Sequence, residues 1–137
     1  MLLRDIQPKV RKKDAVDKVI YETYYRAPYN LLMSHLFGPK ADKVCGIYKI
    51  TDLVTGKSYI GQSVDIKERL KTHIKTGLSS SISTNKLYQA MKKDGVENFT
   101  FEILEEVPRA SLNEREIYWI EFYKTKEYGL NDTKGGA

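Results

Sequence analysis

A small α+β fold, a mixed sheet of three strands covered by helices, is what this sequence predicts. Three observations predict it. Residues 45–51 (CGIYKIT) and 57–63 (KSYIGQS) are short, rich in Ile and Tyr, and separated by a turn region holding Thr55-Gly56, so they read as a β-hairpin. Residues 98–104 (NFTFEIL) alternate Phe99, Phe101 and Ile103, which is the period of a strand. The signals run hairpin, helix, helix, strand, helix. That order has too few strands and the wrong connectivity for a doubly wound parallel sheet.

The elements follow in order. Residues 12–25 place Val16, Val19, Ile20 and Tyr24 at helical spacing until Pro28 interrupts them. Residues 29–40 (YNLLMSHLFGPK) read as a short apolar helix stopping at Gly38-Pro39. Residues 1–44 are thus predicted to be an N-terminal helical appendage ending in a linker, and residues 45–137 the main domain. After the hairpin, Asp65 with Glu68 three residues later makes a capping-box-like start for a helix that runs to about Lys75 and stops near Gly77. A polar loop, residues 77–84, leads to a helix over 85–94 with Leu87, Ala90 and Met91 inward and Gly95 as its stop. Beyond the third strand, Ser111 is a good N-cap for a helix through Tyr123. The tail from Lys126 reads as loop.

Composition narrows the function classes. The chain has 137 residues, 41% hydrophobic and 30% charged, ordinary for one globular domain with a core of its own. The single cysteine, Cys45, excludes an intramolecular disulfide and a cysteine-rich metal site, and fits a reducing, cytoplasmic setting. Leu2-Leu3 is followed at once by Arg4-Asp5, so no signal-peptide run is present, and no apolar stretch approaches the roughly 20 residues of a membrane-spanning helix. The net charge of +5 is unevenly spread. Residues 57–93 carry eight Lys/Arg against two acids, and residues 94–137 carry five against ten. A basic block suits a polyanion such as nucleic acid. A solvated lysine-rich helix face would give the same count.

Three sets of side chains stand out. On the helix beginning at residue 66, Ile66, Leu70 and Ile74 form the buried stripe. Arg69 and His73 flank it one turn apart, while Lys67, Lys71 and Lys75 point away. A guanidinium beside an imidazole at the rim of a core would clamp a phosphate; a snorkelling arginine and a surface histidine is the plainer reading. On the helix over 111–123, Leu112, Trp119, Ile120 and Tyr123 define the apolar face, and Glu116 falls inside it, with Glu114 and Glu121 opposite. An inward carboxylate is costly unless paired or bound to a cation, so Glu116 is a candidate ligand for a hard divalent ion; a salt bridge or an open helix end would also account for it. Tyr48 and Tyr59 share one face of the hairpin in a register that pairs them, though most strand tyrosines are packing.

Gly46-Ile47-Tyr48, Tyr59-Ile60-Gly61, Arg69, Glu116 and Asn131 together resemble the GIY-YIG nuclease superfamily, whose members include homing endonucleases, restriction enzymes and a repair incision subunit. The likeness spans roughly residues 45–133, and strings such as SYIGQS, NKLYQAMKKDG and LNEREIYWI resemble its phage and homing-endonuclease branch. The resemblance implies a small three-stranded antiparallel sheet flanked by helices, and a divalent-metal-dependent DNA endonuclease using Mg²⁺ or Mn²⁺. Glu116 would be the metal ligand, Arg69 the contact to the scissile phosphate, and Tyr48 the general base with Tyr59 as partner or alternative base. His73 would match a His-or-Tyr position, and Asn131 the asparagine that closes the site. Lys57, His73 or the metal would supply the positive charge that lets a phenol act near neutral pH. Gly46 and Gly61 would leave room for close backbone approach. Lys57, Lys67, Lys71, Lys75 and Lys86 are the candidate DNA contacts. The sequence departs from the family in lacking a second histidine in residues 77–84 and in having Leu130 before the asparagine. No separate DNA-binding domain follows Ala137, so either the chain is part of a longer protein or residues 1–44 take that task. Those residues would otherwise form a homodimer contact. The reading from another function class is a non-catalytic DNA-binding or interaction module on the same fold.

Overall fold

The structure, a computed structural model, describes residues 43–136; the predicted helical appendage, but for its last two residues, lies outside them. Three strands, β1 (Gly46–Asp52), β2 (Ser58–Ser63) and β3 (Phe99–Glu106), form one antiparallel sheet in the order β2-β1-β3. Four helices surround it: α1 (Ile66–Leu78), α2 (Lys86–Asp94), α3 (Leu112–Tyr123) and the single-turn α4 (Thr125–Tyr128). This is the predicted α+β architecture.

Local chemistry sets most of the boundaries. Asp65 caps α1 by accepting from the Glu68 backbone N–H, and Asn85 caps α2 by accepting from that of Tyr88. Gly95 closes α2 at a φ of 86°. Ser111 stands at the N-cap of α3 but its side chain makes no capping bond. A 3₁₀ turn, Arg109–Ser111, runs straight into the helix and leaves Ser111 with a helical backbone, not aimed back at the first turn. The tail is not all loop. Lys124 adopts a left-handed conformation, φ 55°, which ends α3 and starts α4.

The hairpin register differs from the expected one by two residues. Tyr48 lies opposite Gly61, and Tyr59 opposite Ile50. A slip of two preserves the parity of a strand, so both phenols still share one face. Packing accounts for the register: a Cβ on Gly61 would sit 2.3 Å from the Tyr48 ring. Gly61 therefore makes room for a side chain rather than for backbone. Gly46 does meet backbone. Leu104 is the extra residue of a β-bulge opposite Ile47–Tyr48, and there a Cβ on Gly46 would lie 2.1 Å from the Glu105 carbonyl oxygen.

Alternation then splits the core in two. Tyr48, Ile50, Phe99 and Phe101 pack against Ile66, Leu70 and Ile74 of α1 and Leu87 and Met91 of α2. Ile47 and Ile60, on the other face, pack against Leu112 and Ile120 of α3. Burying Phe99 and Phe101 fully contributes about 1.5–3 kcal/mol each. Tyr123, expected on the apolar face of α3, is 39% exposed and lies under the Lys49 ammonium instead. After α4 the chain runs along the open edge of β2. The Leu130 N–H donates to the Ser58 carbonyl, and the Asn131 amide exchanges two hydrogen bonds with the Ile60 backbone, 2.8 and 2.9 Å. That contact closes a sheet edge and makes the wall on which the site is built.

Candidate active site

Along that edge lies a cavity of about 320 Å³. The sheet face carrying the phenols gives it Tyr48 and Tyr59, α1 gives Arg69, and the loop before α2 gives Asn85. From the opposite layer come Glu116 of α3 and Gln62 of β2, and the final stretch adds Asn131 and Asp132. The two layers can meet only at an edge of the sheet, and β2 is one of its two edges.

Glu116 is buried, as its place on the helix predicted. Its Oε1 accepts from Gln62 Nε2 at 3.1 Å and from the Gly136 backbone N–H at 2.8 Å. No donor among the described residues is recorded on Oε2. Gln62 also donates to Asn113 Oδ1 at 2.7 Å, which fixes its amide. The carboxylate is thus oriented through Oε1, and no hydrogen bond among the described residues holds Oε2. Among the described residues there is no cluster of three metal-ligating side chains. This donor set suits Mg²⁺ or Mn²⁺ held by one carboxylate, with water and substrate oxygens filling the remaining positions, because Mg²⁺ gives up its water reluctantly. It does not suit a cage made of protein alone.

The two phenols differ. Tyr48 is 1% exposed, and burial followed by the neighbouring Tyr59 phenol pushes its pKa well above that of a free tyrosine, while Arg69 pulls the other way. Tyr59 is less buried; burial raises its pKa too, and Arg69 again opposes the rise. The Arg69 guanidinium acts electrostatically on the Tyr48 phenol and pairs with no carboxylate among the described residues, so it remains available to an anion.

His73 is not a rim residue. It is 1% exposed, ringed by aromatic groups, with Nε2 2.7 Å from the Tyr48 hydroxyl and Nδ1 2.7 Å from that of Tyr88. Burial, and then the Arg69 charge, lower its pKa to about 3. The imidazole is therefore neutral near physiological pH. It cannot supply the positive charge expected of it beside Tyr48, and Arg69 supplies that charge instead. Nor does it stand beside Arg69 as a phosphate clamp. Asn131 is on the cavity wall, but both ends of its amide are committed to Ile60, so it holds β2 in place.

The lysines are dispersed. Lys67, Lys71 and Lys75 lie on the outer side of α1, with Lys71 3.8 Å from Glu68. Lys57 and Lys86 border a second cavity of about 500 Å³ beside Asp52 and Asp94. The Lys86 ammonium donates to the carbonyls of Lys126 and Asn131, which ties down the turn after α4.

Gln62 and Tyr88 escaped the sequence reading. Strand alternation does place Gln62 on the Ile60 face, toward α3, and that signal was available. Tyr88 lies one turn from Met91 on the inner flank of α2, but nothing local to it points to His73.

The family described as GIY-YIG catalytic domain matches residues 44–129. The chain is 35% identical over 88 residues to Intron-associated endonuclease 1 of Enterobacteria phage T4, an alignment covering 63% of this chain and 36% of that protein. It thus spans about a third of the curated relative's length. Among solved structures, the catalytic domain of homing endonuclease I-TevI superposes with a TM-score of 0.59 at 33% identity, covering 65% of this chain and 98% of that one. An alanine variant of the same domain gives 0.58, covering 67% and 96%.

Proposed function

The chain belongs to the GIY-YIG family, and from that premise we propose that it is a divalent-metal-dependent endonuclease hydrolysing DNA phosphodiester bonds in the cavity beside β2. The observation that carries this reading is Glu116: a buried carboxylate held by Gln62 and Gly136 through one oxygen, lining a cavity that also holds Arg69 and two phenols.

Hydrolysis needs charge stabilisation, a deprotonated water and a leaving group that can depart. When bound, Mg²⁺ or Mn²⁺ would supply Lewis-acid stabilisation of the phosphate and the departing oxygen, with Glu116 holding it. Arg69, permanently charged and without a carboxylate partner, neutralises the negative charge that grows on the non-bridging oxygens. Tyr48 takes the proton of the attacking water while its own moves onto Nε2 of His73, 2.7 Å away, giving a transient imidazolium whose charge is offset by the negative charge growing on the phosphate. A phenol with a raised pKa is rarely ionised at rest, so it works as a proton exchanger rather than as a standing phenolate. Tyr59 orients the water. Its greater exposure and its nearness to Glu116 also favour a second reading, in which Tyr59 is the base. Asn131 acts on the site through β2, and the outward lysines of α1 provide a general attraction for the DNA backbone.

The test is incubation of the protein with supercoiled plasmid in Mg²⁺, Mn²⁺ or EDTA. Nicking in either metal and none in EDTA is expected. Binding without nicking in any metal would instead make the chain a DNA-binding module on this fold.

A further inference from the structure

Tyr88 has no part in that mechanism, yet it touches the one neutral base in the buried cluster. Its hydroxyl is 2.7 Å from His73 Nδ1, and the Tyr48 hydroxyl is 2.7 Å from His73 Nε2. A neutral imidazole has one N–H and one bare nitrogen. One of these phenols must therefore give a proton to the ring and the other must receive one. Either Tyr48 donates to Nε2 and Nδ1–H donates to Tyr88, or both bonds run the opposite way.

The groups around the ring favour the first arrangement. Arg69 can only donate, and its charge acts on the Tyr48 phenol, which favours a Tyr48 whose oxygen faces the guanidinium and whose proton points at the ring. Tyr48 is 1% exposed, so its proton needs an acceptor inside the protein, and Nε2 stands at hydrogen-bond distance. Tyr88 is under no such constraint. It is half-buried on α2, so its proton can turn toward solvent and its oxygen is free to accept.

We propose that Tyr88 is a positioning residue: by accepting the Nδ1–H bond it holds His73 in the tautomer whose bare Nε2 faces Tyr48. The partner on one ring nitrogen sets the role of the other. If Tyr88 were lost, the proton could reside on Nε2, and the ring would then offer Tyr48 a donor where the reaction needs an acceptor. The catalytic consequence rests on the nuclease reading above; the tautomer does not.

The experiment is ¹⁵N NMR of the full chain at neutral pH, with the His73 ring nitrogens assigned by their loss in His73→Gln. The wild-type protein should show a protonated Nδ1 and a bare Nε2. Tyr88→Phe should move a measurable share of the proton to Nε2 and lower kcat for plasmid nicking by about tenfold with KM unchanged. A wild-type ring protonated on Nε2 overturns the proposal, and so does a Tyr88→Phe ring whose tautomer is unchanged. If the wild-type ring has the expected tautomer but the protein nicks no DNA in any metal, the nuclease reading fails while the assignment of Tyr88 stands.

Discussion

The two faces of the sheet are built to opposite specifications. Against α1 and α2 the core is dry: Ile50, Leu70, Ile74, Leu87 and Phe101 have no exposed surface, and Tyr48 and His73 among them are hydrogen-bonded to each other, His73 also to Tyr88. Against α3 the core is thinner and edged with charge. Lys49 pairs with Glu102 at 3.1 Å, Arg115 with Glu105 at 2.7 Å, and Tyr118 and Phe122 are 45% and 59% exposed. Titration follows suit. On the dry face burial dominates, raising the phenols and lowering His73. On the wet face the Arg115 hydrogen bond, aided by the Trp119 indole, holds Glu105 below the usual carboxylate range. One layer keeps protons where the structure puts them, and the other gives a carboxylate access to water and ions. Catalysis of the proposed kind needs both, and the edge of β2 is where both are within reach.

Several substitutions would break that division of labour. Glu116→Ala removes the contribution of the wet layer and should lower cleavage by about 10³-fold while leaving the thermal midpoint unchanged or higher, since a buried carboxylate is lost; nicking kinetics and a melting curve on the same preparation check both. On the dry side Tyr48→Phe should cost about 10²-fold in rate. A full rate in that variant, with a loss in Tyr59→Phe, would move the base to Tyr59. Gly61→Ala drives a methyl group into the Tyr48 ring and should destabilise the fold by about 1–3 kcal/mol in a urea titration.

Acid stability separates the layers by pH. His73 has a folded pKa of about 3 against 6.5 when free. The unfolded chain therefore binds a proton that the folded chain refuses. Stability should fall as pH drops from about 6.5 toward 3, with a limiting slope of about 1.4 kcal/mol per pH unit from this group. Denaturant midpoints for wild type and His73→Gln should converge with acidification. The smallest effect belongs to Glu105→Gln, which weakens a half-exposed pair with Arg115. Nicking should be unchanged there, and the loss in melting temperature should be below that of Gly61→Ala.

The dry layer was more legible in the sequence than the wet one. Ile66, Leu70 and Ile74, and the alternation of Phe99 and Phe101, are periodic signals that local sequence carries in full, and all five are buried. Glu116 was legible for the same reason, because a charge inside an apolar stripe violates a pattern. The exact pairing of the hairpin was not, since it turns on the Tyr48 ring needing the space at Gly61, a contact between strands. His73 was misplaced because a helical wheel gives its angle but not the depth of the layer it enters. Tyr88 was invisible because its meaning comes from a partner on another helix. Asn131 was visible only as part of a resemblance; its two bonds to Ile60 span 71 positions of sequence.

The central claim is that the Glu116 carboxylate at the junction of the layers binds the catalytic ion. The most direct measurement is anomalous scattering from crystals of the wild-type protein and of Glu116→Ala, each soaked in Mn²⁺. A peak beside Glu116 Oε2 in the wild type, gone in the variant, is the result predicted here. A peak that persists in Glu116→Ala, or an ion held at another site in a protein that still nicks DNA, would contradict it.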